Sequence, residues 1–321
     1  MGKYGRTPIP LQKEITVIQN PRVKKLALSI VLIAGLPFAV HDSASGGTDG
    51  MKDHYDHDMH ILTHAAKTGE VTASITTDPA DITTGKSVTI LITLKDPAGK
   101  PLQGLTVHHD RLLHVIIAGS DFTEFLHIHP EDFGPITPEM KKTARFPVKV
   151  TFPKAGRYIV GVDFMAGNRN YSRHSTITVA GGPELGPLKT DLTREKRFGD
   201  LAVTLSSSPE KITAGKETVL HYRFTSEGKP VTDLEPYLSA PMHLAIISAD
   251  LTQFIHTHGE IPGMQGMSHD AGHMMHMEVP KMFGPEVDVH VVFPTKGIYQ
   301  VFGQVGHQGK VIATGFMVQV E

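Results

Sequence analysis

Two stretches of this 321-residue chain can be laid over each other at an offset of 129 or 130 residues, and no other feature constrains the fold so strongly. DPADITTGKSVTILI, Asp78 to Ile92, matches SPEKITAGKETVLHY, Ser208 to Tyr222, and DPAGKPLQGL from Asp96 matches TSEGKPVTDL from Thr225. HVIIAGSDFTEFLHIHPE from His114 matches HLAIISADLTQFIHTHGE from His243. After 12 extra residues in the second copy, VTFPKAGRYIVGVDF from Val150 matches VVFPTKGIYQVFGQV from Val291. The repeat predicts two tandem copies of one domain, at 69–181 and 199–321, joined by a Gly/Pro-rich and then charged linker over 182–198.

Within each copy, short runs rich in Val, Ile, Thr, Phe and Tyr alternate with Gly/Pro punctuation, as in VTASITT, SVTILITL, HVIIAG, PVKVTF and STITV. Roughly seven such runs per copy fit an all-β class built of two immunoglobulin-like β-sandwiches. No helix of useful length is expected past the N-terminal segment.

That segment carries Lys3, Arg6, Lys13, Arg22, Lys24 and Lys25 and then the uncharged run Leu26 to Val40. A basic stretch before a short apolar one predicts an export signal over 1–45, with Ser43 and Ser45 at the positions a cleavage site reads. Fifteen apolar residues are short for a bilayer span. The expected location is therefore periplasmic or secreted, with a membrane tether if the signal stays uncut. Losing six basic and two acidic side chains from 31 Lys+Arg and 33 Asp+Glu leaves a net charge of −6. Such a chain does not suit nucleic acid as a partner.

The chain has no Cys, 20 His and 13 Met. Disulfides, thiolate metal sites and cysteine nucleophiles are thereby excluded, and His, Met, Asp and Glu remain as metal ligands. No G-x-S-x-G, P-loop, H-E-x-x-H or paired-carboxylate signature is present, so no enzyme is expected.

The run from His114 to Pro130 reads as a hairpin turning at Ser120-Asp121-Phe122-Thr123. With that turn, His114 lies across from His129, and His127 shares their face, while Val115, Ile117, Leu126 and Ile128 face a core. The second copy repeats the pattern with His243, His256 and His258 against Leu244, Ile246 and Ile255. Three imidazoles on one face have the chemistry that copper or zinc requires, although buried, hydrogen-bonded strand histidines would give the same pattern. Asp121 and Asp250 read as Asx-turn residues and Phe125 and Phe254 as packing residues. Glu131 and Glu260 read as loop charges, with an oxygen ligand or a supporting contact as the alternative.

The second copy's insertion, 261–282, carries Met264, Met267, His269, His273, Met274, Met275, His276 and Met277. Thioether sulfur selects Cu(I), with silver as its analogue. The acidic tail over 46–68 adds His54, His57 and His60, a short His-rich tract of the kind that binds metal, or else a solvated spacer.

The phrase H-[VL]-x-I-I-x-x-x-D-[FL]-T-x-F-[LI]-H-x-H, followed by F-P-x-x-G-x-Y, resembles the YtkA-like family of exported bacterial domains. It is more distantly similar to periplasmic copper carriers of the CopC type. The resemblance covers both repeats and implies a small immunoglobulin-like sandwich that handles metal through His114, His127, His129, His243, His256 and His258. The chain departs from the copper carriers in lacking a secure N-terminal histidine. The expected function is exported copper binding for resistance, sequestration or delivery, with zinc or silver as other ions and a membrane metal transporter or metalloprotein acceptor as partner. The alternative is a non-metal protein-interaction module.

Overall fold

The structure is a computed structural model that describes residues 70–264 and 279–321. The proposed signal and the tail at His54, His57 and His60 lie outside the described residues, as do Met267, His269, His273, Met274, Met275, His276 and Met277.

The first copy contains β1 (Thr72–Asp78), β2 (Ser87–Lys95), β3 (Leu105–Thr106), β4 (Leu113–Gly119), β5 (Phe125–Ile128), β6 (Arg145–Thr151), β7 (Gly156–Ala166) and β8 (Arg169–Val179). The second contains β9 (Glu195–Phe198), β10 (Leu201–Ser208), β11 (Glu217–Ser226), β12 (Lys229–Pro230), β13 (Leu234–Glu235), β14 (Met242–Ser248), β15 (Phe254–Gly259), β16 (Glu286–Val292), β17 (Gly297–His307) and β18 (Lys310–Val320). A six-residue helix, Pro138–Thr143, is the one α-helix among the described residues.

Each copy is an antiparallel sandwich. In the first, β1–β2–β6 faces a sheet in which β7 pairs with both β4 and β8, and β5 closes the edge beside β4. In the second, β9–β10–β11–β16 faces the equivalent sheet of β15, β14, β17 and β18. The strands β2 and β6 bury every second residue, the pattern of a sheet wetted on one side. Their inward residues Ile90, Ile92, Phe146 and Val148 meet Val115, Ile117, Val160 and Val162 of the opposite sheet in one apolar core. The second copy has its own core around Leu220, Tyr222, Leu244, Ile246, Val301 and Phe316.

β4 and β14 differ, because all seven residues of each are buried. Their outward faces pack on each other. Ile116, Ala118, Phe125 and Ile159 of the first copy form a third apolar cluster with Ala245, Ile247, Phe254 and Phe302 of the second. Phe125 stacks on Phe302 with ring centroids 4.1 Å apart. Phe254 fills the space above Gly161, where a Cβ would lie 2.4 Å from its ring. The two repeats therefore form one body with a buried seam.

The linker helps to set this arrangement. Gly186 N donates to Asp121 Oδ2 at 2.9 Å, and Asp191 N to Met317 Sδ at 3.4 Å. Residues 195–198, which the sequence assigns to the linker, form β9 and pair with β10.

Candidate metal centre

The hairpin register places His114 on β4 next to Asp163 on β7, with His127 on β5 opposite Ile116 and His129 just beyond that strand. In the second copy His243 pairs with His258 across β14 and β15 and with Gln304 on β17, and His256 lies opposite Ala245. All six imidazoles share the outward face, which is the seam. The six predicted hairpin histidines thus come together in one place rather than two.

Four of them, His114, His127, His243 and His256, offer ring nitrogens that all lie within 4.8 Å of one another. His114 Nδ1 is 3.1 Å from His127 Nε2, close to the ~3.3 Å edge of a tetrahedron with metal–nitrogen bonds of about 2.05 Å. His129 stands beside this group, its Nε2 3.2 Å from His127 Nε2, and is not one of the four.

Four of the rings direct one nitrogen at an acceptor outside the cluster. His114 Nε2 donates to the His108 carbonyl at 3.2 Å, and His243 Nε2 to the Leu238 carbonyl at 3.3 Å. His127 Nδ1 donates to Gln304 Oε1 at 2.7 Å, and His129 Nδ1 to Asp132 Oδ2 at 3.0 Å. His256 Nδ1 lies 3.2 Å from Asp163 Oδ2 without making a hydrogen bond to it, and the other oxygen of that carboxylate accepts from Ser172 and from Asn170. A neutral imidazole has one N–H, so an acceptor on one nitrogen leaves the lone pair on the other. In His114, His127 and His243 that other nitrogen points into the cluster, and His256, which no hydrogen bond holds to one tautomer, adds a ring nitrogen within 4.8 Å of them. Burial, followed by mutual repulsion among the histidines, holds His114, His127 and His243 well below the usual imidazole range and so keeps them uncharged. His243 Nδ1 and both ring nitrogens of His256 are buried without any hydrogen-bond partner. Converging lone pairs repel each other unless a cation lies between them. An outward N–H on a carboxylate, amide or carbonyl is the support that metal-bound imidazoles usually have.

The contacts cross the seam reciprocally. His127 and His256 are equivalent in the repeat, as are Gln304 and Asp163, and each histidine reaches the partner position of the opposite copy. Such an exchange is the mark of two-fold packing.

Residues that sequence reasoning did not single out surround the four-histidine group. His108 and His109 come from the loop before β4, and His109 forms a second group of potential ligands with His243 and His258. Asp163 and Gln304 are the other two. The dipeptide His108-His109, set against Tyr237-Leu238 at the same place in the second copy, is the signal that was available. Asp121 and Asp250 close Asx turns onto Thr123 and Thr252. Glu131 accepts from Leu112 N at 2.7 Å and so supports the chain beside the site. Met264 is exposed.

A cleft of about 340 Å³ opens elsewhere, on the outer sheet of the second copy, and is lined in part by His221 and Asp288. Here Asp288 Oδ1 accepts from His221 Nδ1 at 2.7 Å, and His221 Nε2 is 2.9 Å from Ser208 Oγ. The row ties β10, β11 and β16 together. Pro209 follows the serine, so the next nitrogen has no proton to offer a developing oxyanion.

The model of one protein family, described as a domain of unknown function (DUF8832), matches residues 66–181 and again residues 196–321. The chain belongs to this family. Each DUF8832 copy supplies half of the four-histidine group. No curated protein matches. Solved structures similar to the chain include the Yersinia pseudotuberculosis adhesin InvE, at 12% identity over 79% of this chain and 61% of that one, TM-score 0.23. The Escherichia coli adhesin FdeC matches at 15% identity over 80% and 66%, TM-score 0.22. Invasin, a bacterial integrin-binding protein, matches at 12% over 77% and 39%, TM-score 0.21. The chain thus spans less than two thirds of the length of the first two and well under half of the third.

Proposed function

We propose that the protein is an exported copper-binding protein whose principal site is the seam between its two repeats, with zinc and silver as competing ions. The observation that carries this reading is the convergence of ring nitrogens from His114, His127, His243 and His256, three of the rings hydrogen-bonded from behind to an acceptor and the fourth 3.2 Å from the Asp163 carboxylate. Imidazole suits both copper and zinc, and among divalent first-row ions Cu(II) binds most tightly to a given site. The Met/His insertion adds the thioether donors that Cu(I) prefers. Copper is the one metal that suits both donor sets. Four protein ligands leave no open position for a substrate, which favours holding or delivering an ion over catalysis. A membrane metal transporter or a metalloprotein would be the recipient.

The other reading is a protein-interaction module, the role that the adhesins and invasin suggest. The observation separating the two is where the histidines lie: a face closed by the opposite repeat is not offered to a second protein. Titration with Cu(II) and Zn(II) against a competing chelator is the test. The metal reading expects tight uptake that a His127→Gln, His256→Gln double variant weakens by at least about a hundredfold. Uptake indifferent to both substitutions would leave the interaction module as the better account.

A further inference from the structure

Resting on the seam reading above, we propose a second metal position, made by His109, His243 and His258, through which ions load the four-histidine centre. The ring nitrogens of these three residues lie within 4.8 Å of one another, and His243 belongs to both groups. The His109 and His258 ring centroids are 3.8 Å apart, and those of His243 and His258 4.5 Å. His258 Nε2 and His243 Nδ1 have no hydrogen-bond partner.

This group is the more open of the two. His109 and His258 are half-buried beside the buried His243, whereas in the centre only His127 is half-buried and His114, His243 and His256 are buried; the neighbouring Val107 and Asp110 are exposed. Three imidazoles leave a tetrahedral ion one free position, where it can keep a water and exchange. The shared His243 then gives a route inward by ligand exchange at neutral rings, with no proton released and no change of oxidation state.

Among the described residues the position occurs once, because the two copies differ at it. The loop before β4 turns through left-handed His109 (φ 48°) and Asp110 (φ 64°), and the loop before β14 turns the same way through Leu238 (φ 51°) and Ser239 (φ 59°). The loop geometry therefore does not require histidine; a leucine serves in the second copy. His258's counterpart, His129, is held by Asp132 instead.

The test uses the full chain and Co(II) alone, with stopped-flow detection of the visible absorption of four-coordinate Co(II). The band from the seam is the part that His127→Gln removes. In His109→Leu, which copies the second repeat's own residue, that band should appear about tenfold more slowly, with final amplitude and competition affinity within about threefold of the parent. His258→Gln should behave in the same way. Loading at the parental rate in both variants would overturn the proposal, and so would a lost final amplitude in His109→Leu, which would put His109 inside the centre. Absence of any band sensitive to His127→Gln in the parent would instead overturn the seam reading itself.

Discussion

Asp163 and Gln304 occupy the same place in the two copies but differ in charge, and each stands behind a histidine of the opposite repeat. A buried carboxylate behind a metal-bound imidazole raises its basicity and fixes the ring. Asp163→Asn keeps the shape and removes the charge, so metal affinity in competition titrations should fall about tenfold or more with little change in fold. An unchanged affinity would mean that Asp163 serves only Ser172 and Asn170. This residue was hard to find in the sequence. The alternation along HVIIAG and FLHIH, and along HLAIIS and FIHTH in the second copy, puts three histidines of each copy on one face, because side chains on a strand alternate strictly. Asp163 and Gln304 sit in strands that look like ordinary core strands, and only the packing of one repeat on the other gives them a role.

At the scale of the strand, the seam depends on matched large and small residues. Phe302 in β17 meets Phe125, and the equivalent position in β7, Gly161, is bare so that Phe254 can lie flat on the backbone. Gly161→Ala would push a methyl into that ring, and overpacking of this kind costs about 1–3 kcal/mol. The urea midpoint should fall accordingly, and metal affinity with it, because β15 carries His256 and His258. A variant as stable as the parent would show that the sheets slide apart freely. The strands themselves were legible from their β-branched runs and turn residues. Complete burial of β4 and β14 was not, since an alternating His/Ile/Ala face reads equally well as a wetted surface. The pairing of residues 195–198 into the second copy was also hidden, because a charged stretch such as Glu195-Lys196-Arg197 looks like linker.

For the whole molecule, the duplication means that one chain builds a two-fold centre which a single sandwich lacks. It also places many neutral imidazoles in the interior. His109, pushed down to about 3, and His114, His127, His129, His243 and His258, all lowered, are depressed chiefly by burial. The unfolded chain takes up protons near the ordinary imidazole value of about 6.5, and the fold does not. Stability is therefore complete above about pH 6.5 and falls as pH drops toward the folded values, by about 1.4 kcal/mol per pH unit for each such group. The metal-free protein should show a flat urea midpoint from about pH 8 to 7 and a steep fall between about 6.5 and 5; a flat profile throughout would contradict buried neutral histidines. The most direct measurement of the central claim is X-ray absorption fine structure on the protein loaded with one equivalent of Cu(II), repeated in the His127→Gln and His256→Gln single variants. A centre made jointly by the two repeats predicts a shell of four imidazole nitrogens that is lost in either variant alone. A sulfur-containing shell, or a four-imidazole shell that survives either substitution, would contradict it.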